Sequence, residues 1–473
     1  MNIRGSIKNF LFLIFSQLVG LLFYIVISLV FPKMMTVENF GYWQLFLFYS
    51  SFVGFFHLGL NDGIYLRYGG KNYVKINKSL LKGQFVILAI AQFLIATAFF
   101  LLFKITADEE PQRLFVIFYT MIFLVISNIT SYITLSLQSM NRLQDFSRVT
   151  LFTNALLVLS FIILAVYGQR TYEPYILVYL AVHGMALVFC IYLIKEVINE
   201  PFFIRRIPAY FHEIKKNVLV GSQLMFSTIA SMLMLGIGRF FIEKKWGIIE
   251  FGKISFVLTI TTFFIFFIRQ IGIVIFPLLR NKKSEAQKSI YCHTLGFLNC
   301  LLFGVLLFFP LLEWCINFWI PKYSSHISSV IIILPVLVFE GKMQVLLSTY
   351  MKVLRKEKKL LAFNLVGLLC SLVFAAVGLL LDSLILLVLG MTVSIALRGY
   401  LVENFLSRHF NVYLLKQELS GLLLPAVFIL AFLKLGNLYA LGLYMMLYLM
   451  FLLLQRNDLQ IFWHLLTVKE RKL

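Results

Sequence analysis

Charge is scarce in this chain. Of 473 residues only 13% are Asp, Glu, Lys or Arg, against 61% hydrophobic. A soluble domain carries about a quarter of its residues as charges, so a water-soluble globular protein is excluded. Acid is scarcer than base, with 21 Asp and Glu against 42 Lys and Arg. Cysteine is rare as well. Cys190, Cys292, Cys300, Cys315 and Cys370 lie in or beside apolar stretches and never in CxxC spacing, which makes them packed thiols rather than a metal or redox centre. The seven histidines are scattered singly, without the paired spacing of a zinc site. There is no phosphate-binding P-loop. Gly236-Ile237-Gly238 is a lone GxG with Phe241 where a third glycine is required, so it reads as packing. No loop is long enough for a catalytic domain; the largest covers about 196–216. Together these absences call for no metal and no cofactor, and they count against an enzyme such as a membrane-bound polymerase, ligase or glycosyltransferase.

What is present is a series of long apolar runs. A membrane-spanning helix needs about 20 predominantly apolar residues. Runs of that kind fall at roughly 9–31, 41–64, 83–105, 114–138, 150–168, 174–194, 217–240, 252–276, 290–312, 327–350, 361–381, 383–404, 419–434 and 437–455. The alternating short segments of a transmembrane barrel are missing, so the runs must be helices. An all-α integral membrane protein of about fourteen spans is expected. The opening MNIRGSIKN precedes an apolar stretch too long for a signal-peptide core and lacks a small-residue cleavage site, so it reads as a retained first span.

The cations set the orientation. Arg67, Lys71, Lys75, Lys78 and Lys82 share one inter-run segment. Lys195, Arg205, Arg206, Lys215 and Lys216 share another, Arg280, Lys282, Lys283 and Lys288 a third, and Lys352, Arg355, Lys356, Lys358 and Lys359 a fourth. These segments all lie on one side, whereas the acidic run Asp108, Glu109, Glu110 lies on the other. The positive-inside rule makes the basic side cytoplasmic, with both termini inside. The net charge of +21 is split among short loops, so it marks topology and attraction to anionic membrane lipids rather than nucleic acid. The 196–216 segment, with Pro201, Pro208 and the amphipathic Tyr210, Phe211, His212 and Ile214, suits a position on the membrane surface.

The chain also repeats itself. SLQSMNRLQDF at 136–146, followed by Asn154, aligns without a gap with LLSTYMKVLRK at 346–356, followed by Asn364. At nearly the same offset Phe40-Gly41 pairs with Phe251-Gly252, and Lys8-Asn9 with Lys216-Asn217. Repeats of this size in a membrane chain point to a transporter of two similar lobes around a central site. The expected division is a lobe at 1–195, a cytoplasmic linker at 196–216, a second lobe at 217–410, and two further helices with a tail at 411–473. Both copies begin on the same side, so the repeats are parallel.

Charges inside the runs are expensive in hydrocarbon and mark candidate sites. Glu340 and Lys342 lie near mid-membrane in the tenth run. Two residues apart, they should project to nearly opposite sides and need partners elsewhere, and Pro335 should bend the helix just before them. Arg269 lies in the inner third of the eighth run, where the repeat matches it to Leu58, next to His57 in the second run. Asp62 and Arg67 close the second run in GLNDGIYLR, with Asp62 free to pair with Arg67 or Arg269; Gly59 and Gly63 there form a close-packing GxxxG pair. Arg239 ends the seventh run, with Glu243 one turn on as an ordinary ion-pair partner. The in-membrane balance is basic, which suits an anionic ligand such as a phosphate or pyrophosphate.

The stretch IKNFLFLIFSQLVGLL, continuing through Val37-Glu38-Asn39-Phe40-Gly41-Tyr42-Trp43 to Leu58-Gly59-Leu60-Asn61-Asp62-Gly63, together with the two repeated loops, resembles a known family. It is similar to bacterial polysaccharide flippases, the Wzx-type O-antigen and capsule transporters of the multidrug/oligosaccharidyl-lipid/polysaccharide exporter superfamily. The resemblance implies two six-helix bundles facing each other in a V, two extra C-terminal helices and a place in the bacterial cytoplasmic membrane. It implies a basic central cavity for an undecaprenyl-diphosphate oligosaccharide, with a glycan polymerase and glycosyltransferases as pathway partners. Arg269, Lys342 and Arg239 carry over by location as holders of the diphosphate, with His57 beside them. Glu340, Asp62 and Arg67 would tune charge or couple an ion. An ion-coupled multidrug exporter of the same superfamily is the alternative, and it predicts an acidic site.

The orientation has a direct check. Single cysteines at Lys75, Lys283 and Lys356 should be shielded from an impermeant thiol reagent in intact cells, whereas cysteines at Asp108 and Lys322 should label. Labelling of the first group would reverse the topology.

Overall fold

The structure is a computed structural model. It describes residues 19–23, 25–70, 73, 76–106, 110–280, 284–412 and 415–455, with the side chains of 106, 267, 269–280, 284, 286, 415 and 416 left aside. The described residues are helical with short turns and no strand. Ten helices are long and apolar enough to cross a membrane, and two bent pairs bring the number to twelve. One of the ten, Ile204–Phe266, runs for 63 residues. At 1.5 Å per residue that is about three times a hydrocarbon core, so the helix holds two crossings. Gly247, at φ +81°, interrupts it between them. A shorter apolar helix at Val19–Met34 lies in the first run, part of which falls outside the described residues. The count is compatible with the fourteen spans expected.

The chain forms two compact units, Met1–Ile229 and Ala230–Leu473. The division falls inside the Ile207–Arg280 helix, ahead of the interruption at Gly247, and the first part of that helix packs with the residues before it.

In the first unit, Thr36 starts the helix Val37–Phe52 by accepting the Asn39 amide on its hydroxyl. Trp43 is fully buried and rings with Phe31, Phe46, Phe161 and Tyr179 at centroid distances of 5.6 to 6.0 Å. Such aromatic pairs each contribute about 0.5–1.5 kcal/mol beyond area burial. The span then breaks. A 3-10 turn at Val53–His57 leads to Leu58 and Gly59, both at positive φ, and the next helix, Leu60–Tyr68, leaves at 62°. A break exposes carbonyls that hydrocarbon cannot satisfy. Two buried amides satisfy two of them here. Asn128 donates to Val53 O at 2.9 Å and Gln92 donates to Phe56 O at 2.9 Å, while Asn61, just past the break, donates to Asn128 O at 3.1 Å and ties the second span to Pro111–Ser139. Asn128 also donates to Gln92 Oε1, which ties Lys78–Thr106 to Pro111–Ser139.

Below the break, backbone meets backbone. A methyl built on Gly63 would lie 1.9 Å from Asn217 O, and one on Gly221 would lie 2.0 Å from Gly59 O. The close-packing pair read from Gly59 and Gly63 thus has its mate in Gly221 on the Ile207–Arg280 helix. Tyr210 of the same helix packs its ring on Gly83, where any side chain would collide. These contacts are why the start of that helix belongs with the first unit.

The second unit contains the bend expected at Pro335. Pro321–Ile333 and Val336–Val353 meet there at 44°, since proline removes a donor and clashes with the preceding turn. Thr392 on Leu384–His409 donates to Ile332 O just before the bend, at 2.8 Å. A π turn at Met343–Leu347 follows.

The repeat is visible in the turns. Leu143–Val166 and Glu357–Leu380 are both 24 residues long. Each follows a left-handed residue, Asn141 or Arg355, and each precedes another, Gly168 or Asp382. Matching bonds run from the Arg142 amide to Leu137 O and from the Lys356 amide to Met351 O. At the far ends they run from Gln169 to Leu164 O and from Ser383 to Gly378 O. All these pairs are 214 residues apart (356 − 142 and 383 − 169). The gapless register of 210 read from the sequence is therefore four residues short. Four residues is about one helical turn, so the slip keeps the same face toward the same neighbours and preserves the sequence likeness.

The glycine crossing yields a stability prediction. Gly63→Ala and Gly221→Ala should each lower the thermal stability of the purified protein strongly, at or beyond the ~1–3 kcal/mol usual for overpacking. Gly442→Ala, where a methyl meets nothing within 4 Å, should be neutral. Unchanged melting of both crossing variants would show the approach to be loose.

Candidate functional site: buried charges in each unit

The in-span charges fall into two groups. In the first unit His57 sits at the break, buried, with Nδ1 accepting the Gly59 amide at 3.1 Å and Nε2 3.8 Å from Asp62 Oδ2. Arg67 does not turn back to Asp62. It reaches the Ile207–Arg280 helix, bonding Glu213 at 3.0 Å and Asn217 Oδ1. Asn217 in turn donates to Gln84 at 2.6 Å, and both amides are fully buried. Arg67 therefore fastens the inner half of the second span beside the glycine crossing.

In the second unit Glu340 and Lys342 both find partners on one helix, Leu384–His409. Lys342 Nζ meets Glu403 Oε2 at 2.8 Å, with side chains 3% and 4% exposed. Glu340 accepts from Arg398 Nη2, and Arg398 Nη1 donates to Ser231 at 2.6 Å. Gln344 donates weakly to the other Glu340 oxygen at 3.4 Å. Gly421, from Leu415–Lys434, stands over Lys342, and a methyl there would lie 3.2 Å from Nζ. Glu340 and Lys342 thus each pair with another helix and not with each other, and the helix is the same one for both. Both side chains are long enough to turn toward a single helix, and their partners there are five residues apart, about 7.5 Å along its axis.

The cluster Glu340, Lys342, Arg398 and Glu403 sums to zero charge. An anion can enter it only by displacing a carboxylate. Such pairs are costly to bury and costlier to break, because the remaining charge is left without water or partner. Arg239 packs its guanidinium 5.0 Å from the Phe251 ring centroid and donates to Ser255 at 2.9 Å. Arg269 is on the helix Ile207–Arg280, but its side chain lies outside the described residues. Among the described residues no group of three or more His, Cys, Asp or Glu is placed to hold a metal.

Arg398 and Glu403 are the residues that sequence reading passed over. The signal was available, since both lie inside the twelfth apolar run, where any charge needs explaining. Glu213, Asn217, Gln84, Gln92 and Asn128 carried no comparable signal, because uncharged amides and a carboxylate at a span's end are unremarkable in sequence.

The pairs make a separable prediction. Lys342→Ala and Glu403→Ala should each destabilise the protein by ~3–5 kcal/mol in thermal or denaturant unfolding, while Lys342→Met with Glu403→Met should be close to native. If the double variant is as damaged as the singles, the charges contribute more than mutual neutralisation.

Comparison with known proteins places this architecture. No family model matches the chain, and no curated protein matches it. Solved structures do. The lipid II flippase MurJ in an inward-closed conformation superposes with a TM-score of 0.61 at 15% identity, over 95% of this chain and 99% of that one. An inward-facing multidrug resistance MATE family transporter of the MOP superfamily gives 0.61 at 13% identity, over 84% and 94%. A MOP superfamily transporter from Pyrococcus furiosus gives 0.53 at 12%, over 85% and 96%. The chain is a multi-pass helical membrane protein with the fold of MOP superfamily transporters.

Proposed function

We propose that this protein is a flippase for a lipid-linked oligosaccharide carried on a polyprenyl diphosphate. The observation that carries the reading is the extent of the fold likeness. The MATE transporter covers 84% of the chain and MurJ 95%. The difference is about fifty residues, so the lipid flippase shares more of the chain's length than the multidrug transporter does. The resemblance of the opening spans and repeated loops to polysaccharide flippases supports the same direction.

In this reading the sugars and diphosphate cross through the protein while the lipid tail stays in the bilayer. Arg269, an arginine inside the eighth apolar run, is our candidate to hold the diphosphate, because a guanidinium makes two parallel bonds to phosphate. Arg239 and His57 are secondary candidates. Lys342 would have to give up Glu403 to serve, so its proposed part in binding competes with its part in packing.

Vesicles holding the purified protein should move a fluorescent lipid-linked oligosaccharide and leave a cationic dye untouched. Arg269→Ala should abolish most of that movement at unchanged protein level, and Arg269→Lys should recover part of it. Exchange of the pair, Lys342→Glu with Glu403→Lys, separates the two parts of Lys342: normal transport means the pair only packs, and lost transport in a folded protein means Lys342 meets the substrate. Transport of the dye but not the glycan lipid would replace this reading with a multidrug exporter.

A further inference from the structure

The break in the second span is held by a titratable side chain. His57 ends the 3-10 turn, and its Nδ1 accepts the Gly59 amide at 3.1 Å. That nitrogen therefore carries no proton, and the ring's proton sits on Nε2. Nε2 faces Asp62 Oδ2 at 3.8 Å, close enough for charge attraction but too long for a hydrogen bond. Gly59 is at φ +82°, and its own backbone lies against Gly221 and Ser222. His57 thus ties the left-handed turn at the bend, and that turn lies against the crossing.

We propose that His57 and Asp62 form a proton-binding site that operates this bend. A proton added to Nδ1 removes the acceptor of the Gly59 amide and gives the ring a positive charge. The imidazolium then closes on the Asp62 carboxylate, and the freed amide loosens the left-handed turn and the glycine crossing beneath it. The proposal rests on reading the chain as a transporter, for which it names the coupling ion.

The surroundings leave the pair to itself. Asp62 is the charged group within ion-pair distance of His57 among the described residues. Arg67, one turn further on, is engaged with Glu213 and Asn217. Lys78–Thr106 presents Gln92 to the break, with Lys78, Lys82 and Lys104 toward its ends. Pro111–Ser139 presents Asn128, with Arg113 at its far start. The Ile207–Arg280 helix presents Gly221 and Ser222, with Glu213, Lys215 and Lys216 at the level of Arg67. Asn128 and Gln92 donate to the carbonyls of the break whatever the charge on His57, so the amide of Gly59 is the bond a proton can switch.

Hydrogen–deuterium exchange of the full-length protein in detergent tests this without transport. After correction for intrinsic rates, residues 53–63 should exchange about tenfold faster or more at about pH 4 than at about pH 7.5. His57→Asn keeps an acceptor oxygen but cannot titrate, so it should hold protection at both pH values. Asp62→Asn removes the counter-charge and should move the transition of the native protein to lower pH by about one unit or more. Equal protection of 53–63 at both pH values in the native protein overturns the proposal. So does a pH response that survives His57→Asn. A native protein that shows the exchange response yet moves no glycan lipid would fail the flippase reading and leave the proton site standing.

Discussion

An unpaired peptide group in hydrocarbon costs several kcal/mol, and most of this structure follows from avoiding that cost. Continuous helices avoid it by themselves. Where the chain departs from a helix it must bring its own donors. At the break after Val53 these are Asn128 and Gln92, each from a different helix. At the Pro335 bend Thr392 plays the same part. Breaks are thus the points where a span is tied most firmly to its neighbours.

The same constraint acts harder on charge. The second unit answers it with two carboxylates and two cations on two helices, closed by Ser231 and by Gly421. This changes how the basic in-span balance is to be read. A count of cations along the spans suggests a positive cleft, but Lys342 and Arg67 are each matched by an acid of their own unit. Charge available to an anionic substrate is therefore a smaller quantity than charge present in the spans. The matched pairs instead hold particular helices together within each unit.

Several features were legible from residue types alone. The helical membrane class, the approximate number of spans and the bend at Pro335 follow from apolar run length and from the missing proline donor. The repeat was legible too, although its register was misread by one turn, because helices that differ by a turn expose the same face. Gly59 and Gly63 announced a close approach without naming the mate. Gly221 lies more than 150 residues away in sequence, and its pairing depends on the path of the intervening helices. The break at Leu58 had no proline to announce it. Its stability comes from amides on other helices, and no local pattern encodes them.

The candidate site divides along the same line. Glu340, Lys342, His57, Asp62 and Arg67 were identifiable because a charge or histidine in an apolar run is conspicuous wherever it later points. Their partners were not identifiable, since Arg67 could equally have met Asp62 on its own helix and instead spans to Glu213 and Asn217. The sequence by itself determined that the chain is a bundle of membrane-crossing helices with a small set of buried charges, because the energy of placing a residue in hydrocarbon depends mainly on its type. Only the tertiary structure decided which charges neutralise each other and which backbone bonds hang on a titratable ring, because those depend on distances of a few ångströms between helices far apart in the chain.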